Sequence, residues 1–306
     1  MYRKKFQKNN EHPESDESSK KVVAKKSFGQ NFLKSEKALD SIIEAGDIRE
    51  GDLVLEIGPG QGALTDKLLS KKATILAIEK DNDLCILLNE KYQKEILEKQ
   101  ILILNADILN IDYETIIASF KKIARAEQSL EYKLIANIPY YITGQIIRNF
   151  LSLDYQPILA VLLVQKEVAE RIISNPGKIG SDKNPKYKEN LLSISVKAYS
   201  EPVYIQTVKA GSFDPSPKVD SAIILLKRIN RDSFENINEQ FFFQIVKAGF
   251  RHKRKNLIKN LKSIQENSPE INSAIEKISS NPKYLENPKI RAEDLSLEDW
   301  LSILKR

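Results

Sequence analysis

The sequence predicts an α/β fold with a mostly parallel sheet, followed by a small all-helical C-terminal domain. Three observations carry this. From Asp52 to about residue 230, short apolar runs alternate with longer amphipathic segments, the pattern of strands joined by crossover helices. The first run opens into a glycine-rich turn, Gly58-Pro59-Gly60-Gln61-Gly62-Ala63, with a helical segment after it. Beyond Arg231 only helix-period segments remain, broken at Pro269, Pro282 and Pro288. With 306 residues, 41% of them hydrophobic and 29% charged, the chain has a globular composition and room for one large and one small domain.

Taken in order, residues 1–26 mix eight basic with four acidic residues without apolar periodicity, and read as a disordered basic tail. The tail lacks the apolar middle of a secretory signal, and Glu11, Glu14, Asp16 and Glu17 do not suit a transit peptide. The α/β domain is expected over 27–230. Its strands are expected at Asp52–Ile57, Ala73–Glu79, Ile101–Asn105, Tyr132–Asn137 and Ile158–Gln165, with helices following at about 62–70, 81–92, 112–126, 143–151 and 166–174. Residues 190–199 fit either period, and helix is the reading. Val203–Val208 and Val219–Ile229, separated by a turn-rich stretch from Gly211 to Pro217, bring the sheet to seven strands. The helical domain, 231–306, is expected to hold helices at Glu239–Gly249, Arg251–Ser263, Pro269–Ser279 and Leu295–Leu304.

Scarce residues exclude several chemistries. The only histidines are His12, in the polar tail, and His252, among lysines and arginines, so a Ser-His-Asp hydrolase does not fit. A single cysteine, Cys85, rules out an intrachain disulfide and a multi-cysteine zinc site; no metal site is expected, and the compartment is expected to be reducing and cytoplasmic. No apolar run approaches the roughly 18 residues of a membrane span. The formal net charge of +6, with its excess at the two ends of the chain, suits a polyanionic partner.

Gly58, Gly60 and Ala63 satisfy a dinucleotide fingerprint, and Glu79 closes the second strand about 20 residues on, where an acid would hold ribose hydroxyls. On these residues alone a nicotinamide cofactor stays open, as does a tight turn that binds nothing. The full string Glu56-Ile57-Gly58-Pro59-Gly60-Gln61-Gly62 resembles motif I of the S-adenosylmethionine-dependent methyltransferases, whose cofactor carries no phosphate for a helix N-terminus to grip. The third strand ends at Asn105-Ala106-Asp107, which by that resemblance puts Asp107 on the cofactor's adenine. The fold implied is a Rossmann-like class I methyltransferase.

The fourth strand ends in Asn137-Ile138-Pro139-Tyr140, which resembles the Asn-Pro-Pro-Tyr type motif of methyltransferases acting on planar amines. An aliphatic second residue is the variant of the ribosomal RNA adenine dimethyltransferases. An adenine N6 lone pair is delocalised into the ring; acceptors at the Asn137 side chain and the Ile138 carbonyl would turn it toward a methyl donor, and Pro139 would fix the turn. Tyr140 would stack on an extruded base, an interaction worth about 1–3 kcal/mol. The Ser27 to Leu33 segment resembles the one preceding motif I in these enzymes, which implies that Asn31 and Leu33 line the cofactor site with Gln30 beside them. Gln165 to Arg171 matches their segment after the fifth strand. Phe213 to Ser221 resembles their late motif, whose Phe closes on the target base opposite the tyrosine; a core role for Phe213 stays open.

Arg251-His252-Lys253-Arg254-Lys255-Asn256-Leu257 lies in a twelve-residue stretch with six Lys and Arg and no acid. Read as a helix, it would bury Leu257, Ile258 and Leu261 and offer Arg251, Lys253, Arg254 and Lys255 to RNA phosphates; a merely solvated face is the plain alternative. With Phe250, this stretch resembles a basic segment of the small-subunit (16S) ribosomal RNA adenine dimethyltransferases, with Lys253 replacing an arginine. The resemblance spans about 27–306 and departs from the family in the long tail and the lysine-rich stretch 179–188. It implies dimethylation of two adjacent adenosines in a 3′-terminal hairpin loop of 16S ribosomal RNA, within a small-subunit assembly intermediate, by a monomer. Two alternatives stand beside it. One is a large-subunit (23S) enzyme of the macrolide-resistance type, and the other a non-catalytic RNA-binding assembly or transcription factor on the same scaffold.

Overall fold

In a computed structural model, residues 24–25, 29–124, 130–173, 188–263, 269–280 and 282–305 are described. The tail (but for 24–25) and the lysine-rich stretch (but for Lys188) lie outside them.

Along the chain, β1 (Phe32–Leu33) and α1 (Glu36–Ala45) precede β2 (Leu53–Ile57), α2 (Ala63–Ser70), β3 (Thr74–Glu79) and α3 (Asn82–Lys91). Then come α4 (Gln93–Leu97), β4 (Ile101–Asn105), α5 (Tyr113–Ile123), β5 (Tyr132–Asn137), α6 (Thr143–Leu151), β6 (Leu159–Gln165) and α7 (Lys166–Ile173). The α/β part closes with α8 (Leu191–Tyr199), β7 (Glu201–Val208), β8 (Phe213–Asp214) and β9 (Ser221–Lys227). Five helices follow: α9 (Glu239–Gly249), α10 (Leu257–Lys262), α11 (Pro269–Ser280), α12 (Pro282–Leu285) and α13 (Leu297–Leu304).

Seven strands form one sheet in the order β4-β3-β2-β5-β6-β9-β7. Strands β2 to β6 pair in parallel, whereas β9 runs antiparallel to both β6 and β7. After β4 the chain returns to the middle of the sheet, so the strand order reverses between β2 and β5. A crevice opens at such a switch point above the carboxyl ends of the strands. Ile57 sits opposite Ala136, which brings Gly58 and Asn137 side by side at that mouth.

Alternate residues of each strand feed two apolar layers, as the two-residue side-chain period requires. Val54, Ile75, Ile135, Val161 and Ile223 pack with α1 and α2 on one face. Leu55, Leu76, Leu134, Leu162 and Ile224 pack on the other, in a cluster that continues through α8 to Phe242, Ile245 and Trp300 of the C-terminal helices.

The seven strands and the helix at 191–199 lie where the sequence places them, within a residue or two at most ends. Helices α1, α4 and α12 are new, as are the strands of the two-residue ladder in which Phe32 faces Asp214 and Leu33 faces Phe213. One expectation is corrected. Arg251–Ser263 is not one helix, because Arg251–Lys255 form a turn and helix resumes only at Leu257. Asn256 starts it by accepting from Lys259 N–H at 2.9 Å, and the buried Asn260 amide donates to the Gly249 carbonyl (2.6 Å) and the His252 carbonyl (3.1 Å). Those carbonyls at the end of α9 and in the turn are thereby satisfied by a side chain instead of by continued helix.

Candidate functional site

The glycine turn leaves β2 with Gly58 at φ 69° and Gly60 at φ 59°, both in the left-handed region. Glycine is required most plainly at Gly60, where a Cβ would fall 2.9 Å from the Phe32 ring. The backbone of the turn thus lies against the segment leading into α1. Gly60 N–H donates to Glu79 Oε2 at 3.2 Å, and Asp81 N–H donates to Glu79 Oε1 at 2.9 Å. Burial pushes the Glu79 carboxyl pKa up, against those backbone donors.

Asp81 carries no signal in the sequence. Its side chain is fully buried and accepts from Lys25 Nζ (2.6 Å), from Gln30 Nε2 (2.9 Å) and from Asp83 N–H at the start of α3 (3.1 Å). Burial opposes its ionisation, but Lys25, Gln30 and the Asp83 N–H outweigh it and hold the carboxyl below its usual range. Gln30 is therefore a strut between the N-terminal segment and α3. Asp107 accepts from Lys80 Nζ at 2.8 Å and from Leu109 N–H at 3.0 Å, and against the cost of burial these also leave it below the usual range.

A cavity of about 340 Å³ sits over the strand ends. Gln30, Asn31, Leu33, Gly58, Gly60, Glu79, Asp107 and Asn137 all line it, as do Ile138, Pro139 and Tyr140. Asn137 Nδ2 donates to the Asn31 carbonyl at 3.4 Å, which fixes the amide and leaves its oxygen as an acceptor. Among the described residues no donor reaches Asn137 Oδ1 or the Ile138 carbonyl. The Ile138 side chain is 1% exposed and anchors the turn in the core. Pro139 accepts from Ile142 N–H at 3.1 Å, closing the short 3-10 turn that leads into α6. Tyr140 Oη lies 2.6 Å from Ser221 Oγ.

Phe213 is not among the lining residues. It is 5% exposed and belongs to the same apolar layer as Leu33, Val208 and Ile223, which supports the core role that the sequence leaves open. Its register opposite Leu33 places it in that layer. Lining residues without a role assigned from the sequence include Tyr141, 68% exposed, and the buried Glu56, which opens the motif I string. Glu56 accepts from Thr65 Oγ1 at 2.8 Å, and burial pushes its pKa up to about 8.

Arg251, Lys253, Arg254 and Lys255 are exposed on their turn. His252, Lys253 and Lys255 border a second cleft of about 250 Å³ together with Arg171, Lys188 and Arg291, while Glu189 and Glu293 supply opposite charge. Lys188 is paired to Glu293 (3.0 Å) and Asp294 (2.9 Å). Arg171 and Arg291, far apart in sequence, are grouped with the basic turn only by the fold. No cluster of three or more His, Cys, Asp or Glu suited to a metal occurs among the described residues, and no helix among them is long and apolar enough to cross a membrane.

Comparison with known proteins bears on the same region. A family described as Ribosomal RNA adenine dimethylase matches residues 22–306. Ribosomal RNA small subunit methyltransferase A of Rippkaea orientalis is 39% identical over 284 residues, covering 90% of this chain and 95% of that protein. The protein of the same name from Dehalococcoides mccartyi strain CBDB1 is 35% identical over 280 residues, covering 91% and 87%. The crystal structure of a dimethyladenosine transferase from Plasmodium falciparum superposes with a TM-score of 0.65 at 27% identity, over 89% of this chain and 95% of that one.

Proposed function

The chain belongs to the ribosomal RNA adenine dimethylase family, and from that premise we propose that it dimethylates the N6 amines of two adjacent adenosines in the 3′-terminal hairpin loop of 16S ribosomal RNA. The methyl donor is S-adenosylmethionine, and the substrate is a small-subunit assembly intermediate in the cytosol, bound by a monomer. The observation that carries the reading is the pair of open acceptors, Asn137 Oδ1 and the Ile138 carbonyl, in the cavity beside the glycine turn.

The cavity residues suit this cofactor. A Cβ at Gly58 would come 3.3 Å from the Asn137 carbonyl, so the glycine lets the turn pack closely against the end of β5 and brings the two motifs together at the cavity. Glu79, in a site lined by Leu33 and Ile57, suits ribose hydroxyls, and Asp107 at the end of β4 suits an adenine amine. When bound, the cofactor supplies an electrophilic methyl group on a sulfonium leaving group. The protein's part is alignment. In the first transfer Asn137 Oδ1 and the Ile138 carbonyl accept the two N6 hydrogens, and in the second one of them accepts the hydrogen that remains, which draws the lone pair out of conjugation and toward the methyl group. Pro139 holds those acceptors convergent, and Tyr140 stacks on the base once it has left its helix. The proton displaced from nitrogen passes to solvent, so no histidine or metal is called for.

Arg251, Lys253, Arg254 and Lys255 hold RNA phosphates and orient the particle. The basic turn after Phe250 and the names of the relatives favour the small-subunit target over large-subunit RNA. The test is methyl-labelled cofactor with unmethylated small subunits or large-subunit RNA, read by nucleoside chromatography. Dimethyladenosine from small subunits alone is expected. Product from large-subunit RNA alone would move the target, and no label in either would favour a non-catalytic RNA-binding protein.

A further inference from the structure

We propose that Ser221 is a positioning residue for base recognition: its buried hydroxyl, tied to Tyr140 Oη, sets the ring plane against which the target adenine stacks. This rests on the role of Tyr140 under the proposed function and extends it to a residue on a distant strand.

Ser221 is completely buried, at the start of a strand whose next three residues are Ala222, Ile223 and Ile224. A hydroxyl in such surroundings is costly without a partner. Among the described residues its side chain has one, Tyr140 Oη at 2.6 Å, and that hydrogen bond joins residues 81 apart in the chain. The two ends differ in rigidity. Ser221 is held on both sides by the sheet, opposite Gln165 of β6 and Val208 of β7. The preceding Asp220 is clamped as well, its carbonyl accepting from Lys166 N–H (3.0 Å) and its carboxylate from Ala210 N–H (3.0 Å) and Lys209 Nζ (2.9 Å).

Tyr140, by contrast, sits in a three-residue 3-10 turn without a side-chain cap, with the exposed Tyr141 beside it. A tyrosine there has two soft torsions. The hydroxyl lies on the ring axis, so a tether there fixes the first torsion by position; it fixes the ring plane because the phenolic O–H is conjugated with the ring, lies in its plane and has to point at Ser221 Oγ, an anchor held by two neighbouring strands. Fixing the ring before the base arrives removes an ordering cost from recognition. Burial also pushes the Tyr140 pKa up, which keeps the phenol protonated and able to donate.

The experiment compares Ser221→Ala, Tyr140→Phe and the double variant on unmethylated small subunits, together with cofactor affinity by calorimetry and thermal unfolding. Tyr140→Phe keeps the stacking face and removes only the tether, so it carries the test even if Ser221→Ala fails to fold. Each single variant is expected to lower kcat/KM for RNA roughly three- to tenfold, the range for removing one neutral hydrogen bond. Most of the decrease should fall on kcat, because phosphate binding sets RNA affinity, and cofactor affinity should stay at the wild-type value. The double variant should be no worse than either single. Wild-type kcat/KM in either single variant, multiplying decreases in the double, or a parallel fall in cofactor affinity would overturn the proposal. Tyr140→Ala separates the two layers: full activity there would remove the base-stacking reading itself, whereas inactivity there with normal Ser221→Ala would remove only the tether.

Discussion

Asn137 holds its amide to the N-terminal segment through Nδ2, which leaves its oxygen as an acceptor; on the proposed function that oxygen serves the reaction. Asn137→Ala is expected to lower kcat about 10²–10³-fold, the scale of one preorganised transition-state hydrogen bond in a dry site. Calorimetry should find cofactor binding retained, and undiminished turnover would count against the role. Glu56 makes a prediction of opposite character. Its folded pKa of about 8 stands above its ordinary 4.5, so the folded chain keeps a proton that the unfolded chain releases. Stability should therefore fall as pH rises from about 4.5 to about 8. Glu56→Gln should flatten that dependence in urea unfolding of the cofactor-free protein. Residues of this kind are unevenly legible. Asn137 and Glu79 stand out because a strand end and a motif mark them. Asp81 is an ordinary polar residue in sequence and Ser221 only closes the late-motif stretch, and only the packing shows that each is buried against a partner. Phe213 carries a motif's expectation, but its register with Leu33 decides its place.

At the scale of elements, the C-terminal helices meet through a tight approach at the end of α9. A Cβ on Gly249 would lie 2.5 Å from Trp300 Cη2 and 3.1 Å from Leu257 Cδ1. Gly249→Ala should destabilise the protein by about 1–3 kcal/mol through overpacking, even though alanine is the better helix former. Chemical denaturation would show it as a lower midpoint. The strands are legible because aliphatic runs such as Leu53–Ile57 end in turn residues. The ladder of β1 with β8 is not, since two residues have no period to read. The turn at 251–255 reads as helix because Lys and Arg are good helix formers and no Gly or Pro interrupts them. The signal that marks the true start is Asn256, a capping residue placed just before Leu257.

Across the whole molecule, charge and chemistry are divided. The cavity proposed as the reaction site has its acids buried or paired, while the exposed cations of the basic turn follow α9. Replacing Arg251, Arg254 and Lys255 with neutral residues should weaken RNA binding at low salt and reduce the slope of log K against log salt, by roughly 0.7–0.9 for each phosphate no longer neutralised. An unchanged slope in filter binding would separate that turn from the RNA. The short ladder of β1 with β8 has a consequence for how the protein is made. Its strands, and the ion pair of Lys34 with Asp214 beside them, join residues 180 to 182 apart. During synthesis the glycine turn and the Asn137 tetrad leave the ribosome long before Phe213 and Asp214 do. The nascent chain thus holds most of the residues that line the cavity but cannot yet close the Phe32–Leu33 segment over it, and the site is completed only when the late strand arrives.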